Sequence, residues 1–309
     1  MRIVYMGTPD FAVLPLKALI DNNYDVVGVF TQPDKPVGRK AVLTPPPVKT
    51  VAIDAGIPVF QPVTLKNGEG TKILEELKPD AVIVVAYGKI LPKDFLEYPE
   101  YGCINIHGSL LPKYRGAAPI QRCVLDGEEF AGVTSMQMDE GLDTGDMLLK
   151  EVTKIGENET SGELFDRLAV MGADLLIKTL DALKKGELKP EKQDDANSSY
   201  ASMLDKTMSP VDFTKTAREV HNQIRGLDPW PVAQTILEGK NLKLFRSELI
   251  RDAGKGSSGE MKVTKKGLIV FCGDGNPVFI KEVQYEGKKR MSAADFFRGH
   301  PVKDGTILG

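Results

Sequence analysis

Along the first half of the chain, short apolar runs alternate with stretches whose apolar residues recur at helical spacing. Residues 3–6, 26–30, 80–86 and 101–107 read as β-strands. The run 80–86 is apolar almost without interruption, as befits a strand covered on both faces of a parallel sheet. Residues 12–20, 48–55, 69–77 and 117–126 read as helices, with Pro15 tolerable only in a first turn, and 58–60 is a short extended piece. This alternation predicts an α/β fold built on an open, doubly wound (Rossmann-like) sheet. Residues 132–138 and 147–155 add two strands. Thr160-Ser161-Gly162-Glu163 is a capping box, whose side chains satisfy the free amides that open an amphipathic helix ending near Lys185.

The texture changes after a polar stretch at 189–199, whose composition suits a linker between domains. Residues 214–225 form a predicted helix stopped by Gly226, and Asp228-Pro229-Trp230-Pro231 cannot extend it. Short strand-like runs follow at 232–237, 242–249, 260–263, 268–271 and 278–285, separated by glycine-rich turns, and 292–298 is a closing helix. Short strands in this number suggest a small OB-like β-barrel. The expected organisation is a first domain at 1–188, a linker at 189–208 and a smaller OB-like domain at 209–309. Trp230, the only tryptophan, reads as a packing anchor between its prolines.

Composition adds exclusions. With 309 residues, 41% apolar and 27% charged, the chain has the profile of a globular protein long enough for two cores. No apolar run approaches the roughly 20 residues of a membrane helix. The opening run 1–7 reads as a first strand rather than a secretory signal, so a cytoplasmic protein with no membrane partner is expected. Cys103, Cys123 and Cys272 are far apart and form no Cys-x-x-Cys pair, which suggests neither a zinc site nor a disulfide framework. Three histidines, His107, His221 and His300, argue against a histidine-rich metal site, and the last two read as structural or surface residues. The net charge of −3 is unevenly divided: from residue 209 onward 17 Lys+Arg face 12 Asp+Glu, a balance of +5 that leaves −8 for the rest. A mildly basic end on an acidic body suits a polyanionic partner as well as it suits chance scatter.

The first strand runs into Gly7-Thr8-Pro9-Asp10-Phe11. A dinucleotide site would place G-x-G-x-x-G here, but only one glycine is present and Pro9 lacks an amide donor. A nicotinamide-linked oxidoreductase is disfavoured, as is a P-loop kinase, because no Walker loop occurs. The candidate chemistry lies in the strand 101–107. Side chains alternate along a strand, so Asn105 and His107 share one face while Ile104 and Ile106 take the other. Two polar groups at the carboxyl end of a buried strand are either satisfied by backbone or used, and ligands of open α/β sheets bind beyond those ends. The segment 108–116 that follows is apolar, basic and bounded by glycines, suited to a loop facing a ligand. A second polar loop, 139–146, holds Asp139, Asp143 and Asp146, each placed by spacing to orient an imidazole. Its spacing is not that of an EF-hand.

Asn105-x-His107 joined to Ser109-Leu110-Leu111-Pro112, Arg115-Gly116 and Leu142-Asp143-Thr144-Gly145 resembles the folate-dependent formyltransferases over residues 1 to about 185. Met6-Gly7-Thr8-Pro9-Asp10-Phe11, Gln32-Pro33-Asp34-Lys35-Pro36-x-Gly38-Arg39, Ala86-Tyr87-Gly88, Ile224-Arg225-Gly226 and Pro229-Trp230-Pro231 extend the likeness over nearly the whole chain, toward members that act on charged tRNA. The resemblance implies 10-formyltetrahydrofolate as donor, no need of a metal, and methionine-charged initiator tRNA as acceptor. By it Asn105 donates a hydrogen bond to the formyl oxygen, His107 assists that oxyanion and the proton transfer, and Asp143 orients the histidine. Ser109, Leu110, Leu111 and Pro112 border the folate, with Tyr87 and Gly88 nearby. The loop 32–49 carries Lys35, Arg39, Lys40 and Lys49 against Asp34. It would insert at the acceptor end of the tRNA, with Arg39 and Lys40 at phosphates or base edges. The second domain would contact the tRNA backbone, and the chain would act as a monomer. A small amine acceptor, glycinamide ribonucleotide or an amino sugar nucleotide, keeps the same donor, but the extra domain and the basic loop favour tRNA. A non-catalytic RNA-binding protein would leave Asn105, His107 and Asp143 unexplained.

Overall fold

The computed structural model describes every residue except Arg39, Asn67, Asp252, Ala253 and Asp304. Its elements run β1 (Arg2–Gly7), α1 (Val13–Asp21), β2 (Asp25–Phe30), β3 (Lys35–Val37), β4 (Val42–Thr44), α2 (Pro47–Asp54), β5 (Val59–Phe60), α3 (Glu69–Leu77), β6 (Ala81–Val85), α4 (Lys93–Leu96), β7 (Cys103–His107), β8 (Arg115–Gly116), α5 (Pro119–Leu125), β9 (Phe130–Gln137), β10 (Met147–Lys154), α6 (Ser161–Lys185) and β11 (Tyr200–Ala201). There follow α7 (Ala217–Gly226), β12 (Gln234–Leu237), β13 (Lys240–Leu249), β14 (Met261–Thr264), β15 (Gly267–Phe271), β16 (Pro277–Tyr285), β17 (Met291–Ser292) and α8 (Ala293–Gly299). Two compact units result, one of residues 1–116, 131–153 and 165–201, the other of 117–130, 154–164 and 202–309.

The first unit is the expected α/β sheet, in strand order β10-β9-β7-β6-β1-β2-β5. Strands β5, β2, β1, β6 and β7 are parallel, and β9 returns antiparallel to β7. The chain builds outward from β1 through β2 to β5 and then crosses back to β6. The order therefore reverses between β1 and β6, which opens a crevice at their carboxyl ends. Strand β6 is Ala-Val-Ile-Val-Val with every residue buried, because both sheet faces are covered. On one face Val4, Met6, Val82, Val84 and Cys103 form a core with Leu74 of α3 and Phe95 of α4. On the other face Ile106 lies by α6, where a Cβ on Gly172 would stand 3.2 Å from the isoleucine's Cγ2. Asn105 and His107 thus share the Cys103 face, as alternation requires.

The capping box forms as the sequence predicts. Thr160 Oγ1 accepts from the Glu163 amide at 3.2 Å, and Glu163 Oε2 accepts from the Thr160 amide at 3.0 Å. The stretch 189–201 is more than a tether. Glu191 and Met147 exchange both backbone hydrogen bonds, and β11 pairs in parallel with β8.

In the second unit an antiparallel sheet runs β12-β13-β16-β15-β14, with β17 beside β16. The expected OB-like barrel is realised as this curled half-barrel sheet. Leu242, Leu244, Leu268, Val270, Val278, Ile280 and Val283 pack there with Val220 and Ile224 of α7 and Phe296 and Phe297 of α8. Helix α7 starts later than the pattern suggests because Thr216 and Glu219 form a capping box immediately before it. The packing role expected of Trp230 is corrected: its side chain is 51% exposed. His221 is buried and His300 packs on Phe296, as their positions suggested. Among the described residues no helix is long and apolar enough to cross a membrane.

Candidate active site

Asn105 and His107 end β7 at the carboxyl edge of the sheet, both less than one-tenth exposed. Across β9 the histidine pairs in register with Thr134. The ring is fixed by an acceptor that sequence does not reveal: Nε2 lies 2.9 Å from the carbonyl oxygen of Tyr114. A carbonyl only accepts, so the bond places the proton on Nε2 and leaves Nδ1 as the basic nitrogen of the neutral ring.

Of the three aspartates that spacing left open, Asp143 is the one that reaches this pair. Its Oδ2 is 3.8 Å from His107 Nδ1, and its Oδ1 is 3.5 Å from Asn105 Nδ2. Oδ2 also accepts the Gly116 amide at 2.8 Å. The residue adopts a left-handed backbone, φ +53°, which turns the carboxylate back toward β7. Asp139 instead closes its own loop, accepting from the Gly141 amide at 3.0 Å and Thr144 Oγ1 at 2.7 Å. Asp146 gives its carbonyl to the Gln137 amide.

The loop after β7 is braced from within. Ser109 Oγ donates to the Lys113 carbonyl at 2.7 Å, and Thr134 Oγ1 donates to the Ser109 carbonyl at 2.7 Å and accepts from the Leu111 amide at 3.2 Å. Ser109 is therefore buried and its hydroxyl committed to the loop. The Leu111–Pro112 bond is cis, Leu111 packs against Met136 and Met147, and Leu110 and Pro112 stay half-buried. At the neighbouring edge Thr8 Oγ1 and Gln32 Nε2 both donate to the Tyr87 carbonyl. The Tyr87 ring is buried, which pushes its phenol up to about 12, while Gly88 is exposed with φ +81°. Among the described residues, Thr31 Oγ1 and Tyr87 Oη are buried without a hydrogen-bond partner.

The basic loop proves to be a hairpin, β3 with β4. Lys40 is exposed in its turn, and Arg39 lies outside the described residues. Lys49 is spent at the hairpin's foot: Nζ donates to both Asp34 oxygens at 2.8 and 2.9 Å and to Gln61 Oε1 at 2.8 Å. That ammonium, with Gln61, holds the Asp34 carboxyl below its ordinary range. Among the described residues no group of three or more His, Cys, Asp or Glu side chains is arranged to hold a metal ion.

Two family models match the chain: formyl transferase over residues 1–180 and the formyl transferase C-terminal domain over 203–301. The methionyl-tRNA formyltransferase of Alkaliphilus metalliredigens is 50% identical over 310 residues, covering 100% of this chain and 98% of that one. That of Clostridium novyi is 48% identical and covers 100% of both. Among solved structures, the N-formyltransferase from Helicobacter canadensis, in complex with folinic acid and dTDP-3-aminofucose, superposes with a TM-score of 0.70. It is 23% identical and covers 92% of this chain and 98% of that one, a likeness of fold. The chain belongs to the formyl transferase family, among the methionyl-tRNA formyltransferases.

Proposed function

We propose that the protein transfers the formyl group of 10-formyltetrahydrofolate to the α-amino group of methionine on initiator tRNA, supplying formylmethionyl-tRNA for translation initiation. The observation that carries this reading is the convergence of Asn105, His107 and Asp143 at the carboxyl edge of a parallel sheet. It is supported by family membership over both parts of the chain.

A neutral amine is already a nucleophile, so the enzyme's task is to hold it against the formyl carbon and move one proton. As the new C–N bond forms, Asn105 donates to the oxygen that gains charge. One amide hydrogen is turned toward Asp143 and the other is left for that oxygen. His107 accepts the amine's proton at Nδ1, its Nε2–H being held by Tyr114. Asp143 then faces the imidazolium at 3.8 Å. The ring returns the proton to the folate nitrogen as the old C–N bond breaks. Leu110, Leu111 and Pro112 with Tyr87 and Gly88 border the folate, and Ser109 braces that loop. Arg39 and Lys40 on the hairpin meet the acceptor end of the tRNA, and the segment 209–309 meets its backbone. The protein acts as a cytoplasmic monomer.

The test offers the purified protein 10-formyltetrahydrofolate with methionine-charged initiator tRNA, charged elongator tRNA, free methionine, glycinamide ribonucleotide or an amino sugar nucleotide. Formylation of charged initiator tRNA alone is expected. Transfer to a small amine instead would keep the chemistry and overturn the acceptor. RNA binding without any transfer would overturn catalysis.

A further inference from the structure

Gln193 lies in a polar stretch that no motif marks, yet among the described residues 189–200 it alone is not exposed. Its amide is engaged on both sides. Nε2 donates to the carbonyls of Asp143 and Gly145, each at 2.8 Å, and Oε1 accepts from Arg115 Nε at 3.0 Å. The guanidinium settles which way the amide points, because Arg115 only donates: the oxygen must face it and the NH2 must face the loop. Arg115 is itself held by Asp195, Nη2 to Oδ1 at 2.8 Å. Its backbone amide donates to the Ser199 carbonyl at 2.9 Å, and the Tyr114 amide donates to Ser199 Oγ at 2.9 Å.

These bonds converge on the backbone that presents the carboxylate. Asp143 sits at φ +53°, a region that strains any residue with a Cβ, so contacts from outside the loop are needed to keep it there. Two carbonyls, those of residues 143 and 145, are captured by one side chain, and the Asp143 carboxylate is captured by the amide that follows Arg115. We infer that Gln193 is a positioning residue, which holds the backbone of 143–145 so that the Asp143 carboxylate stays between Asn105 and His107. It touches no reacting group. The inference rests on the role proposed above for Asp143.

The test is single-turnover formyl transfer to charged initiator tRNA with enzyme in excess, beside steady-state measurement of both KM values, for wild type, Gln193→Leu, Gln193→Glu, Asp143→Ala and the Asp143→Ala/Gln193→Leu pair. Gln193→Leu removes all three bonds. Gln193→Glu keeps the shape and the acceptor for Arg115 but has no N–H for the carbonyls, and it carries the test should the leucine variant fold poorly. Each is expected to lower the rate constant between about 10- and 100-fold, the scale of a misplaced catalytic group, with the KM for either substrate unchanged. In the Asp143→Ala background the leucine substitution is expected to cost nothing further, because the group it positions is gone. An equal loss in both backgrounds, a loss confined to KM, or wild-type rates in both variants would overturn the inference. Asp143→Ala at the wild-type rate would instead overturn the role proposed for Asp143.

Discussion

Gly145 rests on the end of β9 so closely that a Cβ there would stand 1.7 Å from the Gln137 carbonyl oxygen and 3.3 Å from the Asp139 amide. Its φ lies outside the left-handed region, so the exclusion of a side chain is one of space and not of torsion. Real Cβ atoms essentially never come within 3.0 Å of such an atom, so Gly145→Ala must part the loop from the strand by at least 1.3 Å. The obstacle is backbone on both sides and cannot rotate away. A shift of this size stretches the 2.8 Å bond between Gln137 N and the Asp146 carbonyl to about 4 Å, where it is no longer a hydrogen bond, and displaces the Gly145 carbonyl that Gln193 holds. Overpacking of this kind costs about 1–3 kcal/mol of stability. A displacement of about 1 Å at the carboxylate proposed to orient His107 costs on the order of 100-fold in rate. Steady-state kcat and thermal unfolding measure both. Gly141→Ala is the comparison: its Cβ would meet Thr144 Oγ1 at 1.9 Å, a side chain that can turn aside for the loss of one bond to Asp139. A Gly145→Ala enzyme with wild-type kcat, or with a loss no greater than that of Gly141→Ala, would show that this close approach does not hold the carboxylate in place.

Lys49→Met leaves Asp34 and Gln61 without the cation that ties the foot of the hairpin, so the KM for charged tRNA should rise while kcat and the donor's KM hold; an unchanged tRNA KM would count against a role for the hairpin in acceptor binding. Buried His221, between Ser247 and the Glu157 carbonyl, has its pKa lowered to about 4, chiefly because burial disfavours the cation. The unfolded ring takes its proton near pH 6.5 and the folded ring only near 4, so the unfolded state binds more protons between these values and stability falls as pH falls through that window, by up to about 3 kcal/mol. His221→Gln should flatten the acid side of a plot of thermal midpoint against pH, and an unaltered slope would assign the acid loss elsewhere.

Much of this fold is written in local pattern. The helix at 69–77 and the buried run of β6 follow from spacing and β-branching alone, and the box at Thr160 marks the start of α6. The hairpin β3–β4 escapes such a reading because Val37, Val42 and Leu43 are exposed and leave no alternation of burial. Strands β8 and β11 escape it because each is two residues long and exists only through the other, far away in sequence. In the site, period-two alternation by itself puts Asn105 and His107 on one face. Spacing could not choose among Asp139, Asp143 and Asp146, since the choice depends on the left-handed turn at Asp143. The Tyr114 carbonyl, Thr134 and Gln193 are illegible for a common reason: their contacts run to or through backbone groups, and a backbone carbonyl has no sequence signature.

In the proposed mechanism the face of β7 carries the chemistry and the tRNA contacts lie elsewhere. The most direct test is single-turnover formylation of methionine-charged initiator tRNA by Asn105→Ala and His107→Ala, with tRNA binding measured on the same preparations. The transfer rate is expected to fall roughly 100- to 1,000-fold in Asn105→Ala and by a comparable or larger factor in His107→Ala, with tRNA affinity unchanged in both. Transfer at the wild-type rate in either variant, or a loss matched by weaker tRNA binding, would contradict it.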